Sequence, residues 1–184
     1  GPGGRTALHA AAFNGHAALV RLLLYADHAP AYLRMRRDDG CTALMNAAGQ
    51  GRAAVVHALL AADPSLDHLQ ALNDNGDTAL LIAATCGQVR VVEALLRANS
   101  SPGHLRVRGG DGDSAVCVAA RLGFAVVVRA LLLADPAASP SAQASLGMHA
   151  VEAERPLRPG AVDERGAEVK QRESDERANG GNMG

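Results

Sequence analysis

Residues 4–16 read GRTALHAAAFNGH, and the same pattern returns three times further along the chain. The later versions are GCTALMNAAGQGR at 40–52, GDTALLIAATCGQ at 76–88 and GDSAVCVAARLGF at 112–124. Successive versions begin 36 residues apart, and nothing is inserted or deleted over three periods. A fixed period of this length is the signature of a repeat protein in which each supersecondary unit stacks on the next.

Each unit is predicted to contain two helices. A hydroxyl residue, Thr6 in the first unit, precedes an alanine-rich apolar run, where it can accept the unpaired N–H groups of a helix start. The first helix, over residues 7–14, would end at Gly15, because glycine readily adopts the left-handed conformation that closes a last turn. The second helix, over residues 17–25, carries Leu and Val at spacings of three and four. An Asp or Asn follows each second helix, where we expect a left-handed C-cap: Asp27, Asp63, Asn99 and Asp135.

A long polar return connects each unit to the next. The three complete returns end in Asp39-Gly40, Asn75-Gly76 and Asp111-Gly112, and such dipeptides are strong signals of a tight turn. We therefore predict a hairpin-like finger between successive helix pairs. One leucine recurs in phase in each return, so the returns should be ordered and partly packed: Leu33, Leu69 and Leu105.

The composition agrees with closely stacked short helices. Apolar residues make up 48% of the 184 residues, whereas aromatic residues make up 2% and Trp is absent. Helices of about eight to ten residues are too short to be stable alone in water, but stacked units would bury a continuous core of Ala, Leu and Val. The formal net charge of −1 gives no general reason to expect nucleic acid or a membrane surface as a partner.

No motif points to catalysis, a metal or a cofactor. HExxH, GxSxG, GxGxxG and P-loop strings do not occur. The three cysteines, Cys41, Cys86 and Cys117, are odd in number and form no CxxC pair, so neither a disulfide framework nor a zinc site is indicated. The acidic strings at 73–77 and 110–113 lack the ligand spacing and the final Glu of a calcium loop. We therefore expect a protein that is not an enzyme and holds no cofactor.

Localisation signals are absent from the sequence. No apolar run approaches the ~18 residues that a membrane span needs, and no signal peptide is recognisable. Reduced thiols would fit an intracellular compartment, so we expect a cytoplasmic location. The chain opens at Gly1-Pro2 without a Met and in mid-pattern, which leads us to expect further sequence upstream.

Three segments are expected along the chain. The repeat domain would span residues 1–138, with units at about 4–38, 39–74, 75–110 and 111–138. Residues 139–153 would form a degenerate cap, because the last unit needs cover for its apolar end face. Residues 154–184 are charged and Gly-rich with almost no apolar side chains, which is typical of a disordered tail.

The first unit resembles the ankyrin repeat, whose pattern has the core G-x-T-P-L-H-x-A-A-x-x-G-H. Leu8, His9 and Gly15 match that pattern, as do Ala11-Ala12 and His16, whereas Ala7 stands where proline is common. Later units keep Thr or Ser, the alanine pair and the glycine, but replace the histidine with Met45, Leu81 and Cys117. The resemblance covers residues 4–138 and implies an all-α solenoid of stacked helix-turn-helix units. The period of 36 exceeds the usual ~33, so we expect thicker fingers than usual.

The resemblance also implies a scaffold that binds a protein partner through the finger tips and the concave face of the first helices. Carried over by position, the helix candidates are Phe13, Asn14, Gln50, Thr85, Cys86, Arg121 and Leu122. The finger candidates are Asp38, Asp39, Cys41, Asp74, Asn75, Asp77, Asp111 and Asp113. Every complete finger is acidic, which would steer a basic or amide-rich partner segment, although tight turns favour Asp and Asn for their own sake.

Two functional hypotheses remain open. The chain is either a free-standing, monomeric interaction module or the recruitment segment of a larger enzyme whose catalytic domain lies outside these residues. The arginines of the returns leave a second alternative open, because they indicate either a basic edge opposite the acidic tips or an ordinary solvated loop face. They are Arg34, Arg36, Arg37, Arg106 and Arg108.

Overall fold

The computed structural model describes residues 4–27 and 29–135, and within them the backbone forms eleven helices and a single isolated β-bridge, between Arg108 and Ser114. In chain order the helices are α1 (Ala7–Asn14), α2 (Ala17–Ala26), α3 (Pro30–Leu33), α4 (Ala43–Gly49), α5 (Ala53–Ala62), α6 (Leu66–Leu69), α7 (Ala79–Thr85), α8 (Val89–Ala98), α9 (Pro102–Leu105), α10 (Ala115–Arg121) and α11 (Ala125–Ala134). The all-α repeat solenoid predicted from the sequence is confirmed. The cap expected at 139–153 and the tail expected at 154–184 lie outside the described residues.

The helix pairs begin and end where the repeated signals indicate. Thr6, Thr42, Thr78 and Ser114 each accept a hydrogen bond from the backbone N–H three residues later. The predicted glycines close the first helices in the left-handed conformation, with φ between 65° and 82°: Gly15, Gly51, Gly87 and Gly123. Local capping chemistry therefore fixes the length of each first helix.

Hydroxyl capping is testable on α7, because both of its ends carry a threonine. The Thr78 hydroxyl is buried and accepts the Leu81 N–H at 3.3 Å. Replacing Thr78 with Ala should cost about 1 kcal/mol of unfolding free energy, since it leaves that N–H without a partner. Chemical denaturation would measure the loss. The matched control is Thr85→Ala, whose exposed hydroxyl only donates to the Leu81 carbonyl within the helix, at 2.9 Å. An equal cost for the two variants would contradict the capping role.

The helices form two rows, which bury the core between them. First helices α1, α4, α7 and α10 pack side by side, and second helices α2, α5, α8 and α11 pack behind them. Leu8, Leu44 and Leu80 are at most 1% exposed at equivalent positions of the first helices. The alanine pairs of α1, α4 and α7 are also buried, so neighbouring helices approach closely without large side chains between them.

Each return contains a third, short helix that the sequence did not predict: α3, α6 and α9. The left-handed C-cap expected before it is wrong, because no non-glycine residue of the described ranges has a positive φ. Asp63 is instead extended, with φ −143°, and its Oδ1 accepts the Ser65 N–H at 3.1 Å. Asp27 and Asn99 bond Ala29 and Ser101 in the same way, at 3.0 and 2.7 Å.

The short side chain therefore turns the backbone directly into the third helix, which makes a left-handed residue unnecessary. The leucine that ends each third helix packs into the core, and the three are between 0% and 5% exposed. The expectation that the returns are ordered and packed is confirmed at Leu33, Leu69 and Leu105.

Ion pairs join successive units behind the fingers. Arg34 Nε donates to Asp63 Oδ2 at 2.9 Å, and Asp63 lies 29 residues later at the end of α5. Arg106 repeats the contact through two bonds to Asp135, at 2.9 and 3.0 Å. At the junction between the second and third units the equivalent residues are Gln70 and Asn99. Neutral residues therefore replace both members of the ion pair at this junction.

The arginines of the returns form neither a free basic edge nor a merely solvated face. Besides Arg34 and Arg106, which pair between units, Arg36 bonds Asp74 and the Gly40 carbonyl, both at 3.1 Å. Arg37 pairs with Asp39 at 3.1 Å. Arg108 donates to the Gly112 carbonyl at 2.7 Å.

Candidate protein-binding site

The fingers are hairpin-like, as predicted. In the first finger the Arg37 N–H donates to the Cys41 carbonyl at 3.0 Å, and the Gly40 N–H closes a turn onto the Arg37 carbonyl at 2.9 Å. The second and third fingers repeat both bonds one and two periods later. Gly40, Gly76 and Gly112 end the turns with φ between 73° and 79°, a conformation that favours glycine.

Arginines of the chain itself neutralise three of the six finger aspartates. Asp39 pairs with Arg37, Asp74 with Arg36, and Asp113 with Arg121, at 3.1, 3.1 and 3.2 Å. Among the described residues, no ion pair reaches the carboxylates of Asp38, Asp77 and Asp111. Two of these, Asp77 and Asp111, border the same depression.

That depression is a cleft of about 280 Å³ between the third finger and helices α7 and α10. Its lining residues come from the third and fourth units: Asp77, Leu81, Thr85, Gly109, Asp111, Asp113, Val118, Arg121 and Leu122. Six of the fifteen candidate residues named from the sequence meet here: Asp77, Thr85, Asp111, Asp113, Arg121 and Leu122.

The cleft has an apolar floor and an acidic rim. Leu81 and Val118 lie in the floor at 3% and 7% exposure, and Leu122 borders it at 44%. The rim carries the carboxylates of Asp77, Asp111 and Asp113 and the single guanidinium of Arg121. Three negative groups against one positive group leave the rim with a formal charge of about −2 at neutral pH.

The electrostatics of the cleft concentrate on Asp77. Its partial burial, and then the negative charge of Asp111, raise the pKa of the Asp77 carboxyl above its ordinary value. A cation beside the Asp77 carboxylate would oppose both effects and favour its charged form.

Gly109 explains why Asp111 does not pair with an arginine at this position of its own finger. Its position in the repeat holds Arg37 in the first finger and Asn73 in the second. Arg37 neutralises Asp39, whereas glycine offers nothing to the equivalent Asp111. A Cβ on Gly109 would meet Asp77 Oδ1 at 2.5 Å, so the missing side chain also makes room for the Asp77 carboxylate.

The other nine candidate residues lie outside the cleft. Phe13, Asn14 and Gln50 are exposed at the ends of α1 and α4, and Cys86 is exposed at the end of α7. The Asn14 amide is engaged within its own helix, donating to the Ala10 carbonyl at 3.0 Å. The remaining five belong to the first and second fingers: Asp38, Asp39, Cys41, Asp74 and Asn75.

Sequence reasoning missed three lining residues: Leu81, Gly109 and Val118. Leu81 and Val118 belong to apolar helical runs that predict core positions, and nothing local shows that they also form a cleft floor. Gly109 could have been found, because aligning the fingers shows glycine where the first has arginine.

Neither a metal cluster nor a membrane span is found in the part of the chain that the structure describes. Within residues 4–27 and 29–135, no group of three or more His, Cys, Asp or Glu side chains could hold a metal ion. No helix in these ranges is long and apolar enough to cross a bilayer.

Stacked helical units that are joined by hairpin-like fingers define a helical repeat solenoid. The sequence profile described as ankyrin repeats, in three copies, matches residues 1–68 and 30–104, which together exceed half of the 184 residues. The chain therefore belongs to the ankyrin repeat family. Ankyrin repeat domains are generally protein–protein interaction modules and typically non-catalytic scaffolds. No curated protein matches the chain.

Proposed function

We propose that this chain is a non-catalytic, monomeric scaffold that binds an intracellular protein partner through its fingers and first helices. We further propose that a lysine or arginine of the partner enters the cleft between the third and fourth units. The observation that supports this assignment is the pair of carboxylates, Asp77 and Asp111, that border an apolar floor and form no ion pair with any cation of the described residues.

The chemistry of the cleft suits a long basic side chain. Lysine and arginine combine an apolar stem with a cationic head. The stem would lie on Leu81, Val118 and Leu122, while the head would reach Asp77 and Asp111. Arg121 is held away by its bond to Asp113 at 3.2 Å, so it does not supply that charge. At about 280 Å³ the cleft lies below the ~300–1,000 Å³ of sites for drug-sized ligands, which favours a single side chain.

Peptide selection tests the proposal before the partner is identified. A random peptide library displayed on phage is selected against the full chain, and the dissociation constants of the enriched peptides are measured. We expect peptides with a lysine or arginine at one fixed position. The double variant Asp77→Asn and Asp111→Asn should weaken their binding by about tenfold or more, because charged contacts across an interface each contribute on the order of a kcal/mol or more.

The matched control is Asp67→Asn, which removes an exposed carboxylate on α6 that lies neither in the cleft nor among the candidate residues. Its dissociation constants should equal those of the unmodified chain. Selection of peptides without a basic residue would contradict the proposal. An equal loss in Asp67→Asn would reduce the effect to general electrostatic attraction, which salt screens.

A further inference from the structure

The first unit exposes apolar side chains whose equivalents are buried in every later unit. Leu19 on α2 is 44% exposed, whereas Val55, Val91 and Val127, at the same position of the next three units, are 0% exposed. Ala7 on α1 is also exposed, while its equivalents Ala43, Ala79 and Ala115 are at most 1% exposed. Units two to four each pack on a preceding unit, so the preceding unit is what covers these positions.

A second, polar feature of the same face points to the same cover. Asp63 and Asp135 are 6% and 7% exposed, and each receives an arginine from the return of the preceding unit. Asp27 is their equivalent in the first unit, and it is exposed. Its Oδ1 accepts the Ala29 N–H at 3.0 Å, and no cationic side chain of the described ranges pairs with it.

We propose that this face, formed by Ala7, Leu19 and Asp27, docks one further unit of the same 36-residue type, whose third helix is followed by an arginine that pairs with Asp27. The interface would continue the one that the chain already builds three times between its own units. Leu19 would be buried as Val55, Val91 and Val127 are, and the Asp27 carboxylate would be neutralised as Asp63 and Asp135 are.

A second copy of the chain fits this face less well. Position 142, one period after Arg106, is alanine, so the fourth unit of another copy offers no arginine to Asp27. Two copies meeting through this face would bring two Asp27 carboxylates to one interface without a cation. The face is separate from the cleft between the third and fourth units, so the two proposals stand or fall independently.

Residues 76–111 are a unit of the required type, with Arg106 in the return. Fusing a copy of them directly before Gly4 of the full chain preserves the repeat phase. We expect amide hydrogen exchange in α2 to slow on the order of tenfold or more, because the added unit buries Leu19. A matched fusion whose copied Arg106 is replaced by Gln should melt at a lower temperature than the intact fusion, because it buries Asp27 without a cation.

Leu19→Ala, made in both the natural chain and the extended chain, gives a second test that does not depend on hydrogen exchange. In the natural chain this variant should change the melting temperature little, because Leu19 is largely exposed, and in the extended chain it should lower it clearly. Equal effects in both chains, or a copied unit that stays unfolded or leaves α2 exchange unchanged, would overturn the proposal. Sedimentation would overturn it too if the natural chain dimerises and Leu19→Glu abolishes the dimer, because the occupant would then be a second copy.

Discussion

Replacing Arg34 with Gln should lower the melting temperature by roughly 5–10 °C, because it leaves a buried carboxylate without its cation. Burial by itself raises the pKa of Asp63, but the hydrogen bonds from Arg34 and Ser65 outweigh that effect and hold the pKa at about 2. The Asp63 side chain is only 7% exposed, so water cannot replace the lost arginine. Thermal and chemical denaturation would measure the loss.

Asp63→Asn, added to the Arg34→Gln variant, should restore most of the stability. The double variant recreates Gln70 and Asn99, the residues that the chain itself has one period later. Asparagine keeps the hydrogen bond to the backbone two residues on, as Asn99 does with Ser101 at 2.7 Å. The four chains form a double-mutant cycle, and non-additivity of the two changes is the expected result.

The matched control for this cycle is Arg36→Gln. Arg36 pairs with Asp74 at 3.1 Å, but both side chains are more than half exposed, and exposed pairs contribute little. If Arg36→Gln and Arg34→Gln lowered the melting temperature equally, burial of Asp63 would not be the cause.

The Asp63 carboxylate also makes the free energy of unfolding depend on pH. Its pKa is lowered on folding from 3.8 to about 2, so its contribution is complete above pH 3.8 and is lost as the pH falls through about 2. The hydrogen bond from Arg34 is the largest of the causes that lower this pKa, so the contribution should shrink in the Arg34→Gln variant.

Much of the fold could be predicted because its signals are local and repeated. A hydroxyl before each first helix and a glycine after it determine the ends of that helix from a few neighbouring residues. The third helices could not be found in this way. They are four residues long, which is too short for a helical period, and they form because an Asp or Asn side chain bends the backbone and a leucine packs.

The contacts between units are harder to predict because they join residues about one period apart. The arginines of the returns are 29 residues from Asp63 and Asp135 in sequence, so the loop containing them gives no hint of their partners. The repeat nevertheless holds a clue: Arg34 and Arg106 accompany aspartate, whereas Gln70 accompanies asparagine. The candidate site is hard to predict for the same reason. Its acidic residues were predicted, but the sequence does not show that Asp77 and Asp111 lack an arginine partner while the other cleft aspartate, Asp113, has one.

Acidification should destabilise the stack through two buried histidines, His68 and His104. They are equivalent residues of α6 and α9, each 1% exposed, and neither ring nitrogen of either one has a hydrogen-bond partner. Burial lowers the pKa of both. Near His68 the negative charge of Asp63 partly opposes this shift and Arg34 adds to it, whereas burial alone acts on His104.

A histidine with a lowered pKa binds its proton more readily in the unfolded chain, so unfolding becomes easier as the pH falls below the ordinary value of 6.5. The free energy of unfolding loses nothing to these histidines above pH 6.5. It falls as the pH decreases from there towards the lower pKa that the histidines have in the folded state. At pH 5 the loss can reach about 2 kcal/mol for each histidine, since one pH unit corresponds to about 1.4 kcal/mol.

Chemical denaturation at pH 7.5 and pH 5, on the unmodified chain and on the His68→Leu and His104→Leu double variant, checks this. Leucine fills a similar volume without a charge, so the double variant should lose less stability on acidification. Some acid-induced loss of stability should remain in the double variant, because burial also lowers the pKa of His9. The Nδ1 atom of His9 and the Thr6 hydroxyl form a hydrogen bond of 2.8 Å. The control His57→Leu changes an exposed histidine and should leave the pH dependence as it is. If the double variant and the control respond to acid alike, the buried imidazoles are not the groups that titrate, and the acid sensitivity belongs to His9 and the carboxylates.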